Sequence, residues 1–374
     1  MPLDHGLEML NVPVEWMPVR AEIRKSALLH NLTLLRNEAN PAVFMGVVKA
    51  NAYGHGAVQV AHVLAEAGVR DFAVATLQEA LQLRKSGLEG RILVLGVPHP
   101  DALPVYAQAD LDVNVASPET ASAVLETSFP LRIHVKVDTG MHRLGLLRHE
   151  AAHWIPRLLA APNLMPVALW THFASADEPK NPEAQLQLSR FEALWKAWGH
   201  GFAFVHVANS AGILNHLGIP EAQSIVRGGI ALYGYDPDMP RKTEALQPVM
   251  RLVSRIVRMK TVQAGTAISY GGTWRAPLKT NIATLSCGYG DGYPRQLSSV
   301  GWVSIHGKRY TIAGRVCMDM LMVDAGQDTS VRVGDEVTLF GDGVTSLDEL
   351  SPLAQTIPYT MLTGIMPRVP RIWM

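Results

Sequence analysis

The amino-acid sequence predicts an α/β protein with an N-terminal parallel β/α barrel and a C-terminal, mostly antiparallel β domain. The barrel is predicted because short runs rich in β-branched residues alternate with amphipathic stretches between about residues 20 and 235, and because eight such runs occur. Beyond Leu246 the predicted strands become short, alternating and separated by turn residues, which indicates the β domain. We place the barrel at residues 15–240 and the β domain at residues 241–374, and we expect the N-terminal segment 1–14 to join the β domain.

The predicted barrel strands are spaced so that a helix fits between successive strands. Gly56–Ala67 and Pro182–Trp198 are two of the intervening stretches that have helical spacing and length. Eight such units favour a (β/α)8 TIM-type barrel over an open, doubly wound sheet, which the pattern by itself leaves possible. The predicted strands are Val43–Lys49, Asp71–Thr76, Arg91–Gly96, Leu111–Ala116, Leu131–Val137, Leu164–His172, Ala203–Ala208 and Ser224–Arg227.

The predicted β domain contains three segments in which apolar and polar residues alternate with turn residues between them. They are Val249–Val262, Trp302–Gly314 and Gly334–Asp342. The turn-rich stretch Gly234–Pro240 precedes them and is typical of a connection between domains.

Composition and charge narrow the class of partner. The chain has 33 basic and 33 acidic residues, so no net charge attracts nucleic acid or an anionic membrane. Its two cysteines, Cys287 and Cys317, are too few for a disulfide scaffold, and the N-terminus has neither the basic start nor the apolar segment of a secretory signal. We therefore expect a cytoplasmic protein whose partner is a small molecule rather than nucleic acid or a membrane.

Polar clusters follow five of the predicted barrel strands at the same end. Lys49 ends the first strand, and the segments that leave the fifth to eighth strands are Lys136–Gly145, Thr171–Ala174, Asn209–Gly212 and Arg227–Gly234. Active sites of such barrels form at the carboxyl ends of the strands. The clusters therefore predict one active site at that end of the barrel.

Lys49 is a candidate nucleophile that forms a Schiff base, since desolvation lowers the pKa of an amine and frees its lone pair. A lone lysine at a strand end is more often a surface residue, and that alternative stays open for Lys49 taken alone. The later loops favour the nucleophile. Asn209 and Ser210 open a predicted helix, and Gly228 and Gly229 allow close backbone approach, so together they predict an anion-binding cradle.

The sequence resembles the alanine racemase family, whose members are pyridoxal 5′-phosphate (PLP) enzymes with a barrel and a β domain. The resemblance extends from Val19–Arg36 to Pro367–Trp373, and its most specific motif is VVKANAYGHG at Val47–Gly56. Supporting motifs are KVDTGMHRLG, THFASAD, ANSAG, VRGGIALYG, SYGGTW, GYGDGYPR, GRVCMDM and PRVPR. The resemblance implies a homodimeric isomerase with shared active sites that interconverts L-alanine and D-alanine and supplies D-alanine for bacterial cell-wall peptidoglycan.

The resemblance also implies a two-base mechanism, in which Lys49 holds the cofactor as an internal aldimine and serves one face of the substrate. Tyr270 matches the second base, which in the family reaches across a subunit interface. His172 would lie beside this tyrosine and connect it to Arg227, which would face the pyridine nitrogen of PLP as a hydrogen-bond donor. An isolated tyrosine or buried histidine would have no such meaning, and only the joint pattern predicts these roles.

Further roles follow from the resemblance alone. Lys136 matches a lysine that is carbamylated in the family, although an ion pair with Asp138 is an equally good interpretation of the sequence. No metal is expected. The residues implied to bind PLP are Lys49, Tyr53, Arg143, His172, Asn209, Ser210, Arg227, Gly229, Ile230 and Tyr359. Those implied to contact the substrate are Arg143, Cys317, Met318 and Asp319, and Tyr289, Arg295 and Tyr359 would narrow the entrance.

The sequence favours alanine racemisation over four alternative functions. A broad-specificity racemase is the nearest, but its relatives are typically exported. A basic-amino-acid decarboxylase would carry a reactive cysteine in a context unlike GRVCMDM, and a non-catalytic PLP-binding protein would stop after the barrel. A metal hydrolase is disfavoured because His55, His142, His172 and His206 have no recognisable ligand spacing.

Overall fold

The computed structural model describes residues 13, 16–178, 180–218, 223–237 and 245–374. The chain divides into two compact units. The first is Arg24–Val249, and the second combines Met250–Met374 with the described residues up to Ile23. The observed division therefore differs from the predicted boundaries at residues 15 and 240, because a strand that precedes Arg24 pairs with strands of the second unit. The segment 1–14, which is predicted to join the β domain, lies outside the described residues apart from Pro13.

The described chain contains strands and helices in the following order. The strands are β1 Val19–Ile23, β2 Val43–Val47, β3 Asp71–Val74, β4 Arg91–Val94, β5 Asp112–Val115, β6 Leu131–Lys136, β7 Leu164–Trp170, β8 Phe204–His206, β9 Ile225–Gly228, β10 Met250–Val262, β11 Ala267–Ile268, β12 Trp274–Arg275, β13 Thr280–Leu285, β14 Trp302–Ile305, β15 Lys308–Thr311, β16 Leu321–Gly326, β17 Glu336–Phe340 and β18 Arg371–Trp373. The helices are α1 Lys25–Ala39, α2 Lys49–Tyr53, α3 Ala57–Glu66, α4 Leu77–Lys85, α5 Leu103–Gln108, α6 Pro118–Leu125, α7 Arg148–Ala160, α8 Glu183–Trp198, α9 Ser210–Leu214, α10 Leu347–Leu353 and α11 Pro358–Thr363. Short 3-10 turns cover Pro100–Ala102, Gly199–Gly201, Ile230–Tyr233, Tyr270–Gly272, Tyr289–Asp291 and Arg295–Leu297.

The first unit is a nearly closed parallel barrel. Strands β2 to β9 form one sheet in the order β8-β7-β6-β5-β4-β3-β2-β9. The two edge strands approach each other, because Val205 of β8 bridges in parallel to Ser224 just before β9. Seven of the eight predicted strands contain one of these strands, and the eighth, Ser224–Arg227, overlaps β9 except at Gly228, so the predicted barrel is confirmed. The strands are recognisable in the sequence because helices cover one face of the sheet and side chains fill the interior, which keeps both faces apolar.

The second unit is built on a mostly antiparallel eight-stranded sheet, as predicted. β10 is its longest strand and pairs antiparallel with β1, β13 and β17. Among the described strands of this sheet, only β1 and β18 pair in parallel. β14 and β15 form a hairpin whose two turn residues, His306 and Gly307, have φ values of 51° and 76°. Positive φ at both positions matches the twist of antiparallel strands, which accounts for the glycine.

Among the residues that the structure describes, none of the helices is both long enough and apolar enough to span a bilayer.

Candidate active site

Lys49 follows β2 at the carboxyl end of the barrel and begins a left-handed turn. Ala50, Asn51, Ala52 and Tyr53 all have φ between 51° and 54°. This conformation costs an L-residue about 1–2 kcal/mol, because Cβ approaches the following carbonyl oxygen. Four consecutive residues of this kind persist only where neighbouring groups fix them, and such strain is concentrated at functional sites.

Side chains on both sides hold this turn. Glu79 of α4 accepts a hydrogen bond from the Ala50 N–H at 2.6 Å, and its other oxygen accepts from the Ala75 N–H at 2.8 Å. The Asn51 side chain accepts from the N–H of Ala57 at 2.8 Å. Sequence reasoning missed Glu79, although its spacing from Thr76 predicts the capping box that the structure contains.

The Lys49 amine lies in a cationic, half-buried environment. Burial lowers its pKa, the positive charges of Arg143 and Arg227 lower the pKa further, and Glu79 opposes the shift. Arg143 is exposed on the loop after β6. A lowered pKa increases the fraction of neutral amine, the form that attacks an aldehyde or accepts a proton.

Arg227 of β9 is buried among neutral acceptors. One terminal nitrogen donates to His206 Nδ1 at 2.9 Å, and the other donates to the carbonyls of Thr171 and Val207, both at 3.1 Å. The same nitrogen donates to His172 Nδ1 at 3.0 Å. None of these four bonds uses Nε, so this N–H can donate to a ligand atom.

Of the four groups that accept hydrogen bonds from Arg227, the ring of His172 belongs to the one residue that is not fully buried. Burial lowers its pKa well below the usual value, and the charge of Arg227 lowers the pKa further. A guanidinium only donates, so Nδ1 of His172 is the acceptor and the single ring proton is on Nε2. His172 is therefore a neutral donor for an oxygen placed beyond the ring.

Hydroxyl and amide groups meet at the predicted anion cradle. Ser210 Oγ accepts from the N–H groups of Gly229 and Ala231 at 3.0 and 3.2 Å. A Cβ added to Gly229 would lie 2.9 Å from Tyr53 Oη and 3.4 Å from Ser210 Oγ, so only glycine leaves this space open. Burial raises the pKa of Tyr53, which keeps its hydroxyl as a donor. Ile230 begins the 3-10 turn beside these groups.

Asn209 has a local structural task at this cradle. Its side chain caps α9 by accepting from the Gly212 N–H at 2.9 Å. Gly228, at the end of β9, is also constrained, because a Cβ there would lie 2.1 Å from Cζ of Phe44. Both residues fix the loops that carry Ser210 and Gly229.

Lys136 is a second buried amine in the same unit. Its Nζ donates to the Leu144 carbonyl at 2.7 Å and lies 5.1 Å from the centre of the Trp170 ring. Burial, together with the charges of Arg143 and Arg227, lowers its pKa to about 8. Asp138 accepts instead from the N–H groups of Gly140 and His142. The geometry therefore does not show the ion pair of Lys136 with Asp138.

Tyr270 belongs to the second unit and is 70% exposed. It opens a 3-10 turn after Ser269, whose φ is +65° and whose hydroxyl donates to the Arg315 carbonyl at 2.6 Å. Ser269 Oγ also lies 3.6 Å from Cys317 Sγ. The turn is thus fixed while its tyrosine is left exposed.

The other predicted residues of the second unit lie on nearby turns. The carbonyl of Cys317 accepts from the Tyr289 N–H at 3.0 Å, and that of Met318 accepts from the Gly290 N–H at 2.7 Å. Asp319 pairs with Arg368 at 2.8 Å. Tyr289 and Met318 are 41% and 54% exposed.

Two remaining residues of this unit are predicted to line the entrance. Arg295 is exposed on a 3-10 turn, and Tyr359 is half-buried on α11. The described residues contain no group of three His, Cys, Asp or Glu side chains that could hold a metal ion.

Comparisons with known proteins agree on one family. Residues 23–237 match the model of the alanine racemase N-terminal domain, and residues 249–373 match that of the alanine racemase C-terminal domain. The chain is similar to an alanine racemase from Carboxydothermus hydrogenoformans, with 40% identity over 95% of this chain and 99% of the relative. One from Chlorobaculum tepidum is 42% identical over 92% of each chain. A crystal structure of the biosynthetic alanine racemase from Pseudomonas aeruginosa has a TM-score of 0.88 and 37% identity, covering 96% of this chain and 99% of that one.

Proposed function

This chain belongs to the alanine racemase family and is a PLP-dependent isomerase of alanine; from that premise we propose that Lys49 and Tyr270 move the α-proton on opposite faces of the substrate. The observation that supports this best is the Lys49 amine, which has a lowered pKa and lies in the unit that carries the Ser210 and Gly229 cradle. Racemisation needs one group on each face, because the proton leaves from one side and returns on the other.

The residues of the barrel fit PLP. Its dianionic phosphate matches the cradle of Tyr53, Ser210 and Gly229, which a Cβ at residue 229 would fill. Lys49 provides the amine for the aldehyde, and Arg227 provides a donor for the ring nitrogen. When bound, PLP supplies an aldehyde that condenses with an amino group and a ring that withdraws electrons from Cα.

Arg227 would also favour racemisation over transamination. A guanidinium keeps its protons, so Arg227 would donate to the ring nitrogen of bound PLP and would leave that nitrogen unprotonated. Arg227 would thereby hold the electron-withdrawing power of the cofactor at a moderate level, which would favour rapid return of the proton to Cα. We infer that Arg227 thereby limits transamination.

Tyr270 would be the base of a site in the partner subunit. An ordinary tyrosine has a pKa near 10, so a phenolate needs a donor beside it. His172 offers its Nε2 proton for this purpose, and Arg227 fixes the ring. The exposure of Tyr270 in the single chain is the arrangement that a shared site in a homodimer requires.

Substrate contacts would come from both subunits. Arg143 is suited to the alanine carboxylate, because its fork can form two parallel bonds. Cys317, Met318 and Asp319 would line the substrate side from the partner. Larger side chains would be excluded by residues at the entrance, namely Tyr289, Arg295 and Tyr359.

We expect Lys136 to carry a carbamate, which forms from a neutral amine and carbon dioxide. Its pKa of about 8 means that the neutral fraction rises as pH rises through that value. At a fixed pressure of labelled carbon dioxide, the carbamate signal in ¹³C NMR should therefore increase from about pH 7 to about pH 9. The Lys136→Gln variant should lack the signal, and a wild-type spectrum without it at the upper pH would contradict the assignment.

The cellular role follows from the reaction. We propose that the protein acts in the cytoplasm and supplies D-alanine for peptidoglycan.

The substrate is tested by the circular dichroism of single amino acids incubated with the PLP-loaded protein. The L-alanine signal should decay to zero, while L-serine, L-lysine and L-arginine signals should persist much longer. Comparable decay of all four would instead support a broad-specificity racemase. Stable signals from all four would support a PLP-binding protein without racemase activity.

A further inference from the structure

Three buried polar side chains extend inward from Arg227 through the barrel and take no part in the mechanism above. They are Asp112 of β5, His134 of β6 and His206 of β8, and each is at most 1% exposed. His206 Nε2 lies 3.1 Å from His134 Nδ1, and His134 Nε2 lies 2.9 Å from Asp112 Oδ2. With the 2.9 Å bond from Arg227 to His206 Nδ1, these contacts form one continuous chain.

In this hydrogen-bonded chain, only one assignment of the ring protons of His206 and His134 is possible. Arg227 can only donate, so His206 Nδ1 accepts. Burial lowers the pKa of His206 well below its usual value, so its one proton is on Nε2 and points to His134 Nδ1. His134 must accept there, which places its proton on Nε2, where it donates to Asp112.

Asp112 favours the same proton order from the other end of the hydrogen-bonded chain, because its carboxylate can only accept. Burial alone would raise its pKa, but the hydrogen bonds from His134 and Arg132 hold the pKa below the usual value. Arg132 Nε donates to Oδ1 at 2.5 Å, so each carboxylate oxygen has a different donor. Asp112 is also the carboxylate at which the hydrogen-bonded chain from Arg227 ends.

We propose that Asp112 is a positioning residue for racemisation, which acts through His134 and His206 to present an unprotonated Nδ1 to Arg227. The link to racemisation rests on the proposed function. If the order reversed, His206 would direct an N–H at the guanidinium, and two donors facing each other repel. Arg227 would then move away from its contacts with His172 and the cofactor ring.

The Asp112→Asn variant tests this with almost no change of shape. Arg132 can only donate, so the asparagine oxygen should face Arg132 and its NH₂ should face His134 Nε2. His134 and His206 would then carry their protons on Nδ1, opposite to the wild-type order. We expect the PLP dissociation constant, measured by fluorescence titration of the cofactor-free full chain, to rise at least about tenfold.

A second substitution should restore the order. In Asp112→Asn/Arg132→Met no donor remains at position 132, so the asparagine can turn its oxygen toward His134. The double variant should bind PLP within about threefold of Arg132→Met alone, which is the matched control for the lost ion pair. If the double variant binds no better than Asp112→Asn, Asp112 has only a structural role and the proposal is wrong.

Histidine ¹⁵N NMR tests the proton order in the wild-type protein itself. Wild-type His134 and His206, assigned with His134→Gln and His206→Gln, should both show the Nε2–H form. An Nδ1–H form of either ring would overturn the proposal. Neither measurement requires racemisation, so failure of the wild-type protein to racemise alanine would refute the proposed function separately.

Discussion

Lys49→Ala is expected to abolish alanine racemisation in both directions. The substitution removes the covalent attachment of PLP and one of the two acid/base groups, and loss of an acid/base group alone typically lowers a rate by about 10²–10⁴-fold. Arg143 and Arg227 would remain, so the cofactor's anionic groups would still be attracted to the site.

The attachment is measured separately from activity. Borohydride reduction of the wild-type holoenzyme followed by peptide mass spectrometry should place the cofactor on Lys49, and the Lys49→Ala protein should show no labelled peptide. Lys136 is the informative alternative, because burial also lowers the pKa of its amine. A cofactor found on Lys136 in the wild-type protein would contradict the assignment.

Tyr270→Phe is expected to keep PLP bound but to lose one direction of proton transfer. The substitution removes a single hydroxyl from an exposed side chain, so the fold should be unaffected. Racemisation should fall by about 10²–10⁴-fold. Exchange of the α-proton with solvent deuterium should persist for one alanine enantiomer and be lost for the other.

Lys49→Ala should show the opposite preference in any exchange that remains. Tyr310→Phe is the matched control, since it removes a hydroxyl from another tyrosine of the same unit, one that has no role in the proposed site. That control should exchange both enantiomers. Equal losses from both enantiomers in Tyr270→Phe would show that Tyr270 does not serve one face.

The barrel could be predicted because its strands are buried on both faces and its helices are amphipathic, and these are local properties of the sequence. β1 fell within the predicted barrel, residues 15–240, because nothing local in Val19–Ile23 marks it as part of the β domain. Its partners, β10 and β18, are more than two hundred residues away along the chain. Such pairing depends on tertiary contacts that a local pattern does not contain.

Some residues of the candidate site could be predicted from their positions relative to the barrel strands, and others only from the family resemblance. Lys49 and Ser210 follow from their places at the ends of barrel strands, whereas the roles of Arg227, Tyr270 and Met318 came from family resemblance alone. The hydrogen-bonded chain of side chains from Asp112 to Arg227 was not predicted, because it depends on the register of the barrel strands. A polar residue inside an otherwise apolar strand, such as His134 in LRIHVKV, is the signal that could have indicated it.

The central claim is that Lys49 of one subunit and Tyr270 of its partner form one site. It is tested most directly by mixing purified Lys49→Ala and Tyr270→Phe proteins under conditions that exchange subunits. A heterodimer of the two would contain one intact site and one doubly altered site. Random exchange makes half of the dimers heterodimers, so activity per subunit should recover to about a quarter of the wild-type value. A mixture as inactive as its components would contradict a site shared between subunits.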